Sequence, residues 1–294
     1  MKTLADRIKR VGLIGNSEKV SCAEAVKRAA RLVAAAGRRL YCDASTARLA
    51  KLNAVICPEA ATLAREVDLL LVFGGDGTLL RVAREIAGSR TPILGINIGS
   101  LGFLTAVPSA HLARALKQVW KGEFNFESRT LLQATGRSSG RTIDQTALND
   151  VVISRGIASR LIELDVRVDG DPLTRYRCDG LIISSPTGST AYSLAAGGAV
   201  VFPTADVLAL TPICPHTLSN RALILPLTAT IEVEVISPRP ATILSADGQV
   251  VSELTTGDRL KIRRARRTIR LTHLAGSSFC ETLRRKLHWR GATL

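Results

Sequence analysis

Aromatic residues make up only 4% of the chain, so any sizeable core must be built from aliphatic side chains. Long apolar runs are also missing. No window has the length and apolarity of a membrane span. The basic start, MKTLADRIKRVGLIGNSEK, has no apolar stretch long enough for a secretory signal. The six cysteines (Cys22, Cys42, Cys57, Cys178, Cys214, Cys280) show neither a CxxC pair nor a Cys/His ligand spacing. That argues against structural zinc and reads as free thiols in a reducing, cytoplasmic setting. Acidic residues are outnumbered, 25 Asp and Glu against 40 Lys and Arg, giving a net charge of +15 that favours anionic partners. Several signatures are absent: a Walker GK[ST], a GxGxxG after the first strand, HExxH, and any Ser/His/Asp or Cys/His constellation. There is no internal repeat and no low-complexity linker.

With 294 residues, 46% of them apolar, the chain is long for one core and fits two domains. Residues 1–123 alternate apolar strands (VGLIG, RRLYCD, DLLLVF, TPILGIN) with helices at 3.6-residue spacing (AEAVKRAARLVAAAG, Glu59–Val67, TLLRVAREIAG, SAHLARALKQVWKGE). This predicts an α/β domain with a mainly parallel sheet. Over 124–272 the period changes to two, in FESRTLLQATG, LIELDVRVDG, TATIEVEVIS, RLKIRR and TIRLTHL, which predicts a β-rich, antiparallel domain. STAYSLAAGGAV reads as a helix within it. The end, 273–294, contains the helical SFCETLRRKLHWRG and is expected to pack back on the first domain.

The strongest local motif is Phe73-Gly74-Gly75-Asp76-Gly77-Thr78, between a buried strand and a helix. The glycines let backbone approach a ligand, Thr78 can cap the helix, and the helix N-terminus favours phosphate. The flanking glycines leave no bulky neighbour to shield Asp76, whose carboxylate could orient a hydroxyl, accept its proton or hold a metal. An ordinary turn would also explain Asp-Gly.

Four weaker signals follow. ILGINIGSLGFLTA (93–106) is either a structural loop or a ligand contact. Asn149-Asp150 is either a turn or a grip on a ribose diol or adenine edge. In RYRCDGLIISSPTGSTAYSLAAGGAV (175–200), hydroxyls and backbone N–H groups could hold phosphate or ribose, with Tyr192 either stacked on a base or packed in the core. Asp247-Gly248 alone reads as a hairpin turn. The run RLKIRRARRTIR (259–270) has seven Lys or Arg. It reads as a solvated or oligomer-facing strand, because no aromatics interleave for nucleic-acid stacking.

Taken together, FGGDGTLL, GINIGSLGFLT, ALND, CDGLIISSPTGSTAYSLAAGG, HTLSNRALILP, SADGQ and ETLRRKLHW resemble the bacterial NAD kinases, from about residue 68 to the C-terminus. GGDGT is shared with diacylglycerol-type lipid kinases and, in related form, phosphofructokinases; the DGLIxSxPTGSTAYSLxAGG segment is far more specific. The resemblance implies a phosphofructokinase-like α/β domain plus a β-rich domain, in a homodimer or homotetramer, with NAD between the domains. It implies transfer of the terminal phosphoryl group of ATP to the adenosine 2′-hydroxyl of NAD. Mg²⁺ or another divalent cation would be held mainly by ATP, with no protein metal ligand assigned. Asp76 is the implied catalytic residue. Gly77, Asn149, Asp150, Arg177, Asp179, Thr190, Ala191, Tyr192 and Asp247 are the implied NAD contacts. Gly75, Thr78 and Arg175 are candidate phosphate contacts, and Arg177 could join Arg175 as a clamp. Relatives that accept polyphosphate can carry Gly at the Arg177 position, so ATP is the expected donor. Ser185 departs from the commoner Thr, and the GNS loop lacks the family's basic residue. Neither nucleic acid nor membrane is an expected partner.

Overall fold

The computed structural model describes residues 4–99, 102–105, 107–156, 160–217, 219–237 and 242–289. The chain forms two compact units, Met1–Ser128 with Ile269–Leu294, and Arg129–Thr268.

The first unit is α/β. Its parallel strands lie in the order Val55–Cys57, Arg39–Asp43, Arg10–Gly15, Leu69–Gly74, Pro92–Asn97. Leu69–Gly74 is apolar and buried throughout, and Arg10–Gly15 is so after Arg10, as expected of parallel strands covered on both faces. Ser21–Ala35 buries Cys22, Val26, Ala29, Ala30 and Val33 along one stripe, against a core containing Leu13, Leu69, Leu71, Phe73 and Ile96. Leu112–Lys121 buries Leu112, Ala115, Leu116 and Val119 at the same spacing and ends at Gly122, in the left-handed conformation. After Ile269 the chain returns to this unit, and Arg270–Leu271 pair in parallel with Pro92–Ile93. Phe279–Lys286 then forms a helix capped by Ser278, whose hydroxyl accepts the Glu281 N–H at 3.0 Å. Residues 290 and 291 of the predicted C-terminal helix lie outside the described residues.

The second unit is antiparallel. One sheet runs Leu223–Pro226, Val207–Ile213, Gly180–Ser184, Asp150–Arg155, Thr242–Ala246, Gln249–Leu254. Asp171–Cys178, Ile162–Val168, Ile231–Val235 and Arg259–Ile262 pair in a second run, and 132–138 forms a hairpin with 141–147. Alternate residues of both layers meet in one aliphatic core, including Val151, Ile153, Leu164, Val166, Leu181, Ile183, Leu208, Val233 and Ile262. Buried cysteines add small apolar volume, Cys22, Cys42 and Cys57 in the first unit and Cys178 in the second. Burial pushes the Cys178 thiol up to about 12 and that of Cys42 up to about 11.

The sequence expectations require three corrections. STAYSLAAGGAV is no long helix: a 3₁₀ turn at Thr187–Thr190 leads into the short Tyr192–Ala195 helix. Gly197 then takes φ 85°, and Gly198 presses so close to Ser193 that a Cβ would sit 2.3 Å from its Oγ. RLKIRR and TIRLTHL belong to one strand, Arg259–Leu274. A helix at Ala44–Ala50 and the strand Val55–Cys57 were not anticipated. Asp43 starts that helix by accepting the Thr46 N–H at 3.2 Å.

Candidate active site

In the first unit, the strand order reverses between Arg10–Gly15 and Leu69–Gly74. From the first of these the chain proceeds to one edge, and from the second to the other. Ligands of open α/β sheets bind at such a point, outside the carboxyl ends of the strands. Those ends carry Asn16 and Gly75-Asp76. The helix Asp76–Glu85 begins three residues earlier than Thr78 capping would require. Gly75, in extended conformation, is the N-cap, without a side-chain bond. Thr78 is buried inside the first turn, where its hydroxyl accepts from Asn16 Nδ2 at 3.3 Å. Gly74 makes room for it, since a Cβ there would lie 2.3 Å from Thr78 Oγ1.

Asp76 is not left unshielded by its glycines. Its carboxylate accepts the backbone N–H groups of Phe103 at 2.7 Å, Leu104 at 3.1 Å and Thr105 at 2.9 Å, and the Thr105 hydroxyl at 2.9 Å. Asn97 Nδ2 in turn donates to Thr105 Oγ1 at 2.9 Å. Gly102 makes room for this carboxylate, because a Cβ there would fall 1.9 Å from Asp76 Oδ1. GINIGSLGFLT is therefore a clamp on the GGDGT carboxylate. Ser100, Leu101 and Ala106 of this stretch lie outside the described residues. By contrast, a Cβ at Gly75 or Gly77 would meet nothing within 4 Å. Among the described residues nothing demands glycine there, which leaves room for close approach by a ligand.

In the second unit, Asn149, Asp150, Ser184–Ser185 and Asp247 meet at one end of the six-stranded sheet, where Ser184 pairs with Asp150 and Ala246 with Val151. Asp247 is more than a hairpin residue. It and Gly248 have φ of 47° and 75°, and its carboxylate accepts the N–H of Leu148 at 3.0 Å and of Asn149 at 2.7 Å. The Asn149 carbonyl accepts the Ser185 N–H at 2.9 Å, and Gly188 packs so near that a Cβ would lie 2.1 Å from that oxygen. Asn149 is thus fixed from both sides. Ser185, where the commoner residue is Thr, donates its hydroxyl to Leu148 O at 2.5 Å.

Asp150 is only 4% exposed. Burial, reinforced by the Asp247 charge, pushes its carboxyl up to about 7. Thr190 and Ala191 close the 3₁₀ turn, Thr190 Oγ1 donating to Thr187 O at 3.3 Å. Tyr192 is 48% exposed; it is not a core residue, and its ring is free to stack.

Asp179, Arg175 and Arg177 lie elsewhere. Asp179 precedes Gly180–Ser184, at the opposite end of that strand from Ser184, roughly 17 Å away at about 3.3 Å per residue. Its carboxylate pairs with Arg155 Nε at 2.7 Å. Arg175 and Arg177 sit on one face of Asp171–Cys178 and pair across the ladder with Asp165 at 3.6 Å and Glu163 at 3.8 Å. Both side chains are mostly exposed, so these pairs contribute little and can yield to a ligand.

The sequence reading missed Asn16, Asn97, Thr105, Arg129 and Arg155. Arg129 is buried, with Nη1 donating to Thr187 Oγ1 at 3.3 Å. Asn97 and Thr105 stood within a quoted motif, so their polar side chains in an apolar loop were the available signal. Nothing local marked Arg129 or Arg155.

Comparison with known proteins identifies the family of the chain. Residues 11–124 match the ATP-NAD kinase N-terminal domain and residues 148–274 the ATP-NAD kinase C-terminal domain. An NAD kinase of Ralstonia nicotianae is 40% identical over 282 residues, 96% of this chain and 93% of that protein. One from Polaromonas naphthalenivorans is 39% identical over 287 residues, covering 97% and 98%. Among solved structures, yeast NADH kinase complexed with NADH superposes with a TM-score of 0.89 at 26% identity, covering 98% of this chain and 90% of that one. An NAD kinase from Archaeoglobus fulgidus in complex with ATP gives 0.74 at 25% identity, covering 96% and 100%.

Proposed function

The chain belongs to the ATP-NAD kinase family, and from that premise we propose how its residues carry the phosphoryl transfer from ATP to the adenosine 2′-hydroxyl of NAD. The observation that carries the reading is the Asp76 carboxylate, held at the sheet's switch point by Phe103, Leu104 and Thr105. In-line transfer asks little covalent chemistry of a protein; positioning and charge neutralisation dominate. Asp76 orients the ribose hydroxyl and takes its proton as the new P–O bond forms and the bond to the ADP oxygen breaks. For that it shares or releases one of its four present donors. Gly75 and Gly77 admit the substrate to the backbone at the helix start, where N–H groups favour phosphate.

In the second unit, Asn149, Thr190 and Ala191 contact the dinucleotide and Tyr192 stacks on a base. Asp247 acts by fixing Asn149. Asp179, at the far end of its strand, and Arg175 and Arg177, on a strand of the other sheet, meet a different part of the ligand or a ligand held by another copy of the chain, which is the reason to propose a homodimer or homotetramer. Mg²⁺ or another divalent cation would be held mainly by the ATP phosphates and would neutralise their charge. We place the enzyme in the cytoplasm, in keeping with free thiols and with helices none of which, among the described residues, could cross a membrane. The test is incubation with NAD, ATP and Mg²⁺, with NADP read by a dehydrogenase-coupled assay and fructose 6-phosphate as a competing acceptor. NADP formation that depends on Asp76 is expected; turnover of fructose 6-phosphate alone would overturn the assignment.

A further inference from the structure

In the strand Phe124–Ser138, Arg129 and Leu131 are both buried, with partly exposed Thr130 between them. Arg129 is only 6% exposed. Arginine is seldom taken so far out of water unless it is paired, because its guanidinium stays charged. An aliphatic side chain would fill an inward strand position without that cost. Arg129 holds Thr187: its Nη1 donates to the Thr187 hydroxyl at 3.3 Å, across 58 residues of sequence.

Thr187 opens the 3₁₀ turn Thr187–Thr190 and is itself buried. Its carbonyl accepts the Thr190 hydroxyl at 3.3 Å, and Ala191 donates its N–H to Gly188 O at 2.8 Å. Other ties of the turn come from residues near in sequence. Ser185 Oγ accepts the Gly188 N–H at 3.2 Å, and Ser189 Oγ donates to Pro186 O at 2.7 Å and accepts the Val201 N–H at 3.0 Å. Those bonds set the turn's own shape, and Ser185 anchors its entry to Leu148. Arg129 ties the turn itself to a distant strand, by a charge-assisted bond roughly twice as strong as a neutral one.

We propose that Arg129 is a positioning residue for the dinucleotide: through Thr187 it fixes the turn, so that Thr190 and Ala191 meet NAD with little left to order. This rests on the reading of Thr190 and Ala191 as NAD contacts. A turn held in its binding conformation beforehand raises affinity, because ordering no longer opposes binding.

The full chain is compared with Arg129→Met, which removes donor and charge, with Thr187→Val, with the two combined, and with Thr187→Ser, which keeps the hydroxyl. Calorimetry reads NAD affinity, the coupled assay reads kcat and KM, and melting reads Tm. Kd and KM for NAD are expected to rise about tenfold in Arg129→Met and in Thr187→Val, with kcat and KM for ATP changed no more than about threefold, the pattern of lost uniform binding. Thr187→Ser stays within about twofold of the wild type. Removing one buried partner strands the other, whereas replacing both by apolar groups is nearly neutral. The double variant therefore melts no lower than Thr187→Val, yet binds NAD as weakly as either single variant. NAD affinity that simply follows Tm across the set, or that is unchanged in the single variants, overturns the proposal. If Arg129→Met does not fold, equal NAD affinity in Thr187→Val and Thr187→Ser overturns it. Affinities that move as expected without any NADP formation would sink the kinase assignment alone; a wild type that binds no NAD would sink both.

Discussion

Asp247 Oδ1 accepts the backbone N–H of Asn149 at 2.7 Å, joining residues 98 apart in the sequence. The same carboxylate takes the N–H of Leu148 at 3.0 Å. A turn aspartate thus shapes the loop that presents Asn149. Asp247→Ala would strand those N–H groups and place Ala at a φ of 47°. A lost buried hydrogen bond costs about 1–3 kcal/mol and the left-handed backbone about 1–2 kcal/mol, so a total loss of roughly 2–5 kcal/mol is expected. Asp247→Asn keeps a carbonyl acceptor and tolerates the conformation, so it should lose about half as much. Urea denaturation checks the order, and KM for NAD should rise more than kcat falls. An alanine variant as stable as the wild type would remove Asp247 from this role.

The buried Asp150 carboxyl gives stability a pH dependence of known sign. Burial first, then the Asp247 charge, raises it from 3.8 to about 7. Between those values the folded chain keeps the proton and the unfolded chain has released it. The unfolded state therefore binds fewer protons, and stability falls as pH rises from about 4 through about 7. The contribution is present at low pH and lost above 7, at most a few kcal/mol. Asp150→Asn, neutral at every pH, should flatten this part of the curve and be more stable than wild type at pH 8. Identical pH profiles for the two proteins would exclude Asp150 as the source.

Gly102→Ala tests the clamp from the other side. Its Cβ would fall 1.9 Å from Asp76 Oδ1, so either the carboxylate or the 102–105 backbone must move. Overpacking of this kind costs about 1–3 kcal/mol, and small displacement of a catalytic group costs about a hundredfold in rate. Both a lower Tm and a kcat reduced at least about tenfold are expected. Normal kcat with normal Tm would show that the loop yields freely and holds nothing.

The α/β half was legible because its strands and helices announce themselves by period: LLLVFG is buried throughout and Ser21–Ala35 carries its apolar stripe. GGDGT was legible as a site for the same reason, standing between a strand and a helix. What could not be read was the long-range pairing. Nothing near Asp76 signals that Phe103–Thr105 will donate to it. Nothing near Asp247 signals Asn149, since a DG pair makes a hairpin with or without a distant partner. Spacing alone did not give distance: Asp179 stands six residues from Ser185 in a motif that reads as one unit. A fully extended strand, Gly180–Ser184, carries the two to opposite ends of the sheet.

The last prediction separates chemistry from clamping at Asp76. The sequence offers no reason for Asp76→Asn to disturb folding, but the structure does. Oδ1 receives Leu104 N, Thr105 N and Thr105 Oγ1, while Oδ2 receives Phe103 N at 2.7 Å. An amide that keeps its oxygen toward Thr105 turns its NH₂ against the Phe103 N–H, donor against donor. A stability loss of about 1–3 kcal/mol is expected, with NAD affinity held within about tenfold, or 1.4 kcal/mol. If Asp76 is also the general base, kcat falls far more than stability explains, about 10²–10⁴-fold, or at least about 2.7 kcal/mol of barrier. Thr105→Val is the control. It deletes one donor to the carboxylate and the acceptor for Asn97 Nδ2, weakening the clamp while leaving the carboxylate intact. Its Tm should drop by a similar amount, yet its kcat should fall no more than about tenfold. Turnover and melting measured side by side decide the matter: two variants that lose activity in proportion to their stability would make Asp76 a structural carboxylate and move the proton transfer to another group.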